Sequence, residues 1–228
     1  MRTNWVLYLF GIDLAAELLA IYNQWQNVRY ITKPLLLLLL LGFIAAQSSP
    51  DRSAKKLLIA AAAFSLAGDI ILLFDELGNN YFIAGLVSFL LAHICYILLF
   101  VHIRRKNNKP IVRGAAIIAL LTYAFFFWVL TAGGFSLGDM KIPVYIYCGV
   151  IVTMLLSIVF AFDFKRQPAG WRVLAGGILF VISDFLLAYN KFASAFEYAG
   201  LAIMATYALA QLLIITGVLK FIGSTHNH

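Results

Sequence analysis

Charge is what this chain has least of. Only 12% of its 228 residues are Asp, Glu, Lys or Arg, while 63% are hydrophobic. A soluble globular domain carries about 25% charged residues, so half of the expected solvated surface is missing. That shortage excludes a water-soluble globule. Cysteine is scarce as well: Cys95 and Cys148 both fall in apolar stretches, with no metal or redox spacing, and define neither a cofactor nor a compartment. Histidine is too sparse for a zinc hydrolase, because His93 lies within an apolar run, His102 at the end of one, and His226 and His228 in the tail. Low-complexity segments and a soluble domain are also lacking. With short loops throughout, any chemistry falls to helices and their ends.

What the chain does contain is long apolar segments. Stretches of about 17–25 apolar residues read as membrane helices, and eight are expected: 4–22, 31–46, 54–75, 79–103, 111–131, 141–163, 170–189 and 195–221. The fold class is therefore all-α, a polytopic membrane protein in which residues 1–228 form a single eight-helix transmembrane domain. The opening "MRTNWVLYLFGIDLAAELLAIY" has the charge and apolar run of a signal peptide. Asp13 and Glu17 interrupt that run and no small-residue cleavage site follows, so it reads as an uncleaved first span. Span two is short, with Pro34 near its start, where a missing amide proton does least harm.

The net charge of +7 does not imply nucleic acid, because the basic residues sit in short loops where they meet lipid headgroups. Of the 17 Lys and Arg residues, only Arg29, Lys33, Lys141 and Lys191 fall on one side. The rest, from Arg2 through Arg52, Lys55, Lys56, the 104–113 cluster, Lys165, Arg166 and Arg172 to Lys220, fall on the other. The positive-inside rule then places both termini in the cytoplasm, and the expected location is a bacterial inner membrane. Tyr22, Trp25 and Tyr30 at the first outer turn suit an interfacial aromatic belt.

Two carboxylates stand out. Asp69 in "FSLAGDIILLFDEL" and Asp184 in "GGILFVISDFLLAYN" interrupt otherwise buried apolar helix. A shift of 115 residues aligns them, together with Ala84 and Ala199, Gly85 and Gly200, and Leu86 and Leu201. The shift lays spans three and four over seven and eight, a faint 4+4 internal repeat of the kind that often flanks membrane sites. Asp69 is expected roughly 9 Å, and Asp184 roughly 8 Å, from the outer ends of their spans. Glu17 lies at a similar level, with Lys33 and Lys191 just above and His93 deeper, about 21 Å below the outer end of span four.

An ionised carboxylate at membrane depth costs a few kcal/mol or more. It must face the bundle interior and find partners, or hold a proton. One reading is structural, with both acids bonded to neighbouring hydroxyls and amides. The functional reading is a paired site in which one acid carries a proton while the other stays anionic. Ser65 shares the Asp69 face of span three. Span four offers His93 and Tyr96 at helical spacing, and span eight offers Tyr207 and Gln211. Each of these polar groups either bridges helices or serves a substrate. Asp13 reads as a helix–helix contact.

Taken in order, "KPLL" at 33–36, "GDIILLF" at 68–74, "GLVSFLLAHICYILLF" at 85–100, "FVISDFLLAYNKF" at 180–192 and "YALAQLLIITG" at 207–217 resemble the lysoplasmalogenase (YhhN-like) family of integral-membrane proteins. The resemblance covers most of the chain, though the first helix and "TAGGFSLGDMK" match nothing. It implies hydrolysis of the vinyl ether bond of a lysophospholipid substrate, with Asp69 and Asp184 as catalytic acids. The "SDFLLAYNK" stretch adds Ser183, Asn190 and Lys191 to the supporting group, Lys33 and Lys191 being the expected phosphate partners. No metal or organic cofactor is required by that chemistry. Which acid donates stays open at this stage, as do a proton-coupled transporter and a hydrolase of another lysolipid.

Overall fold

The computed structural model describes residues 4–108 and 114–224, so Arg2, Lys109, Arg113, His226 and His228 lie outside the described residues. Eight α-helices follow one another: α1 Asn4–Tyr22, α2 Gln26–Ala46, α3 Arg52–Leu72, α4 Asn79–Lys106, α5 Ala115–Ala132, α6 Lys141–Ala161, α7 Ala169–Phe192 and α8 Ala199–Ser224. No strand occurs among the described residues. Six of them are long and apolar enough to cross a membrane. The apolar part of α5 is shorter, and α3 carries Lys55, Lys56 and Asp69. At 21 residues, α3 still measures about 31 Å, the thickness of a hydrocarbon core.

The expected spans agree with these helices to within four residues, apart from the expected start of span five at 111, which lies outside the described residues, and one instructive exception. α2 begins at Gln26, five residues before the expected 31, because the polar "QNVRY" stretch continues the helix beyond its apolar part. Pro34 therefore lies inside α2 rather than at its start. Its missing N–H costs one intrahelical bond, to the carbonyl four residues earlier. The tight turn before α2 passes through Gln24 at φ 58°.

Helix contacts define a nearly closed ring. α1 packs on α2, α2 on α3, α3 on α4, α4 on α6, α6 on α7, α7 on α8, and α8 back on α1. α8 also reaches α2 and α3 across the middle. The two most extensive interfaces, α3 with α4 and α7 with α8, are the pairs related by the 115-residue shift. The likeness of the halves stops at α5, which seats chiefly on α6 outside the ring. Small residues bring the paired helices together. Gly68 meets the Phe89 ring, Gly85 meets Leu72, Gly176 meets the backbone of Ala210 and Ile214, and Gly217 meets Val173. Large apolar side chains such as Trp5, Ile12, Leu120, Phe125 and Trp128 face outward, an exterior that only lipid tolerates.

At the end of the bundle where α3 begins, Asp51 caps that helix. Its carboxylate accepts from Ala54 N at 3.0 Å and Lys106 Nζ at 3.1 Å, and stands 3.0 Å from His102 Nε2. Burial pushes this carboxyl up, but the Ala54 cap, His102 and Lys106 outweigh it and hold the group at about 2 instead of 3.8. A carboxyl held low contributes stability that is full above its ordinary pKa and fades as pH falls through its lowered one. Asp51→Ala is therefore expected to lose about 1 kcal/mol at pH 7, read as a lower unfolding midpoint. The deficit should close as pH falls from 3.8 towards 2. A deficit independent of pH would contradict the assignment.

Candidate active site

Two polar clusters meet one cavity. In the first, Asp69 of α3 is 2% exposed. Its Oδ2 accepts from the Tyr207 hydroxyl of α8 at 2.7 Å, and the Lys33 ammonium of α2 lies 4.0 Å from Oδ1. One turn further along α8, Gln211 donates from Nε2 to Ser65 Oγ at 2.9 Å and to Tyr207 Oη at 3.4 Å. The same Gln211 accepts from the Tyr96 hydroxyl of α4 at 2.7 Å. Ser65 lies one turn before Asp69 on α3. A chain of buried hydrogen bonds thus runs from Tyr96 to Asp69 and ties three helices together, with each partner fixing the next.

In the second cluster, the Tyr147 hydroxyl of α6 donates to Asp184 Oδ2 of α7 at 2.7 Å. His93 Nε2 is 3.7 Å from the same oxygen and has no hydrogen-bond partner. The imidazole is fully buried, edge-on to Phe180 at 4.7 Å and to Tyr147 at 5.5 Å between ring centroids. Ser183 donates from Oγ to the Ile203 carbonyl at 3.0 Å, locking α7 on α8. Asp69 is thus held by a helix of the opposite half, α8, whereas Asp184 takes its hydrogen bond from α6, within its own half.

Asp69 and Asp184 line a cavity of about 300 Å³, together with Lys33, Arg29, Asn190 and Tyr207. Gln26, Asp75 and Glu76 border it where α2 starts and α3 ends. Arg29 is aimed by Glu17, which is fully buried, pairs with Arg29 Nε at 3.3 Å and accepts from the Thr32 hydroxyl at 2.5 Å. No hydrogen bond joins the two aspartates, since each takes its own tyrosine. Among the described residues, no group of three His, Cys, Asp or Glu side chains is close enough to hold a metal ion.

Of the residues singled out from sequence, Lys33, Asp69, Ser183, Asp184, Asn190 and Tyr207 line the cavity. Ser65, Tyr96 and Gln211 form the hydrogen-bonded chain behind it, and Glu17 stands behind Arg29. Lys191 does not join them. At that height α7 lies against the start of α4, where Phe82 packs on Phe192, and the Lys191 ammonium sits 4.8 Å above the Phe82 ring instead. His93 keeps its expected depth, about 21 Å from the start of α4 at Asn79, yet its Nε2 lies 3.7 Å from Asp184. Measured from the Phe82–Phe192 contact, His93 and Asp184 lie roughly 16 and 12 Å down their helices, an offset that their side chains span. Asp13 is buried, with its Oδ2 unpaired.

Two participants were not singled out. Tyr147 is one of several aromatics on a uniformly apolar α6, and no local pattern marks its hydroxyl. Arg29 looks like a loop charge because α2 starts earlier than its apolar run.

Fold and site together define an integral-membrane protein whose helices enclose a carboxylate-lined polar cavity. The chain belongs to the YhhN family, whose model matches residues 28–218. It is 29% identical to the lysoplasmalogenase TMEM86A of Bos taurus over 158 residues, 66% of this chain and 60% of the relative. It is 28% identical to the lysoplasmalogenase of Mycobacterium bovis over 136 residues, 60% of this chain and 50% of the relative. With the lysoplasmalogenase TMEM86B of Mus musculus it shares 32% identity over 168 residues, 71% of this chain and 63% of that one. The chain thus spans half to about three-fifths of these relatives' length. No solved structure matches it.

Proposed function

We propose that the chain is a membrane-embedded hydrolase that cleaves the vinyl ether bond of lysoplasmalogens, releasing a fatty aldehyde and a glycerophospho-headgroup alcohol. The observation that carries this reading is the pair of carboxylates opening on one cavity with Lys33 and Arg29 beside them. The names of the relatives support the substrate class.

A vinyl ether hydrolyses by slow proton transfer to the carbon β to oxygen, which leaves an oxocarbenium ion. The reaction therefore needs a positioned acid and an anion facing the developing cation, as in two-carboxylate glycosidases. The surroundings divide these roles. Lys33 supplies a counter-charge at Asp69, whereas Asp184 faces a neutral hydroxyl and an imidazole. We assign the proton to Asp184 and the anion to Asp69.

Asp184 protonates the alkenyl β-carbon, and water then adds to the α-carbon and loses its proton to Asp69. The hemiacetal hydroxyl returns a proton to Asp184 as the C–O bond to glycerol breaks, and Asp69 gives its proton to the departing alkoxide. Both aspartates are thereby reset. Tyr207 and Tyr147 hold the two carboxylates in place throughout. Basic residues concentrate at the opposite end of the bundle, so the positive-inside rule puts both termini in the cytoplasm and the cavity mouth at the outer leaflet.

The purified full chain is expected to release aldehyde from lysoplasmalogen, and to leave diacyl, lysoacyl and saturated-ether lipids intact in the same panel. Turnover of a lysoacyl lipid alone would move the substrate class. Proton-coupled flux in liposomes without lipid turnover would replace the hydrolase with a transporter.

Arg29 is placed to meet the phosphate. The double variant Glu17→Gln, Arg29→Gln removes that charge without leaving a buried carboxylate unpaired. Its KM for a phosphate-bearing lysoplasmalogen is expected to rise about tenfold, equivalent to about 1.4 kcal/mol, with kcat little changed and the KM for a phosphate-free alkenylglycerol unmoved. An equal rise for both substrates would contradict a phosphate contact.

A further inference from the structure

Asp184 sits where polar and apolar spaces meet. On one side it borders the cavity shared with Asp69. On the other it is the sole ionisable carboxylate in the wall of an apolar cleft between α5, α6 and α7, lined by Leu130, Tyr147, Cys148, Val181 and Phe185 among others. Across Phe126, Leu130 and Cys148 this cleft adjoins a larger apolar one of about 330 Å³ between α5 and α6, which runs along α5 and opens outward to lipid at Leu120. The Tyr123 hydroxyl in that wall is already engaged by Thr153 at 2.6 Å, so the lining asks for hydrocarbon.

The length fits one chain, but the space beside Asp184 is only about 60 Å³, so a wall has to move to admit a tail. Leu120 and Leu130 are ten residues apart on α5, about 15 Å at the helical rise. Half of a hydrocarbon core about 30 Å thick is also about 15 Å, the depth one lipid tail spans. α5 seats chiefly on α6, outside the helix ring. It is the wall that can yield to admit a tail without opening the helix ring.

We infer that the α5–α6–α7 cleft, with its extension between α5 and α6, is the tail site for the single hydrocarbon chain of the lysolipid. This inference rests on the hydrolase reading above, and deepens it. A tail lying there puts its first carbons beside Asp184 while the glycerophosphate stays in the polar cavity. The acid on the tail side of the site is then the one that meets the alkenyl β-carbon, which belongs to the tail.

Two measurements test it. The first uses a saturated-ether lysophosphoethanolamine, which no vinyl ether hydrolase cleaves, with a diazirine midway along its chain, added to the full chain in lipid nanodiscs. Photo-adducts are expected on α5 and α6, within 120–151, and are expected to fall when excess unlabelled ether lysolipid is added. Adducts scattered over α1, α2 and α4, or unaffected by competitor, would overturn the assignment.

The second measurement fills the cleft. A Cβ at Gly149 meets nothing within 4 Å, so Gly149→Phe projects into the space without a backbone clash. The ratio of kcat/KM for a sixteen-carbon over a six-carbon alkenyl substrate is expected to fall at least tenfold. An unchanged ratio would overturn the inference even if both rates dropped. The two readings fail separately. Vinyl ether turnover with adducts elsewhere removes the tail site alone, and competed adducts in the cleft without turnover remove the hydrolase alone.

Discussion

Asp184→Asn is expected to reduce lysoplasmalogen turnover by about 10²–10⁴-fold, the usual worth of a positioned proton donor. The amide oxygen still accepts from Tyr147, so packing around position 184 is retained while the transferable proton is lost. Asp69→Asn is expected to fall in the same range for a different reason. It removes the negative charge facing the oxocarbenium ion and leaves Lys33 without its partner at 4.0 Å. Because both groups serve one step, the double variant should be little worse than the worse single one. Unfolding midpoints in detergent, measured alongside, should stay close to the parent for Asp184→Asn and fall for Asp69→Asn, where Lys33 loses its partner in the interior. Normal turnover by both single variants would remove the two-acid mechanism.

Gly176→Leu is expected to have the largest effect on the fold. A Cβ at this position would lie 2.8 Å from the Ala210 carbonyl oxygen and 2.9 Å from the Ile214 amide nitrogen. Both are backbone atoms on α8, so no side-chain rotation relieves the contact, and α7 and α8 must separate. That interface carries Asp184 and Ser183 on one helix and Tyr207 and Gln211 on the other. Overpacking of a tight interior costs about 1–3 kcal/mol. The variant should melt lower by that amount, or accumulate poorly, and lose the Ser183–Ile203 lock. Gly42→Ala is the control, since nothing lies within 4 Å of its added carbon and Ala favours helix over Gly by roughly 1 kcal/mol. A parental melting curve for Gly176→Leu would show that α7 and α8 do not depend on this contact.

The spans were legible because lipid imposes a simple rule: a long apolar run must be a helix. Where the run ends, the rule goes quiet, and the first turns of α2 were missed at the polar residues 26–30. Asp69 and Asp184 were legible for the converse reason, as charges where the surroundings offer none. Ser65, Tyr96 and Gln211 could be proposed from helical spacing, but only packing shows that Gln211 connects Tyr96 to both Ser65 and Tyr207. Tyr147 was invisible because a tyrosine on an apolar helix is ordinary until its hydroxyl finds a carboxylate. Lys191 was misplaced because height along a helix says nothing about what stands beside it, here the Phe82 ring. The exclusion of α5 from the ring was equally hidden, since its apolar composition suits a central or a peripheral helix.

Isotope placement in the aldehyde probes the mechanism at the atom where it acts. In D₂O, with the aldehyde reduced as it forms, one deuterium is expected on the former alkenyl β-carbon, and turnover is expected to slow about twofold or more, because proton transfer to carbon limits the rate. Turnover as fast in D₂O as in H₂O would show that proton delivery to carbon is not the slow step and would contradict the roles given to Asp184 and Asp69.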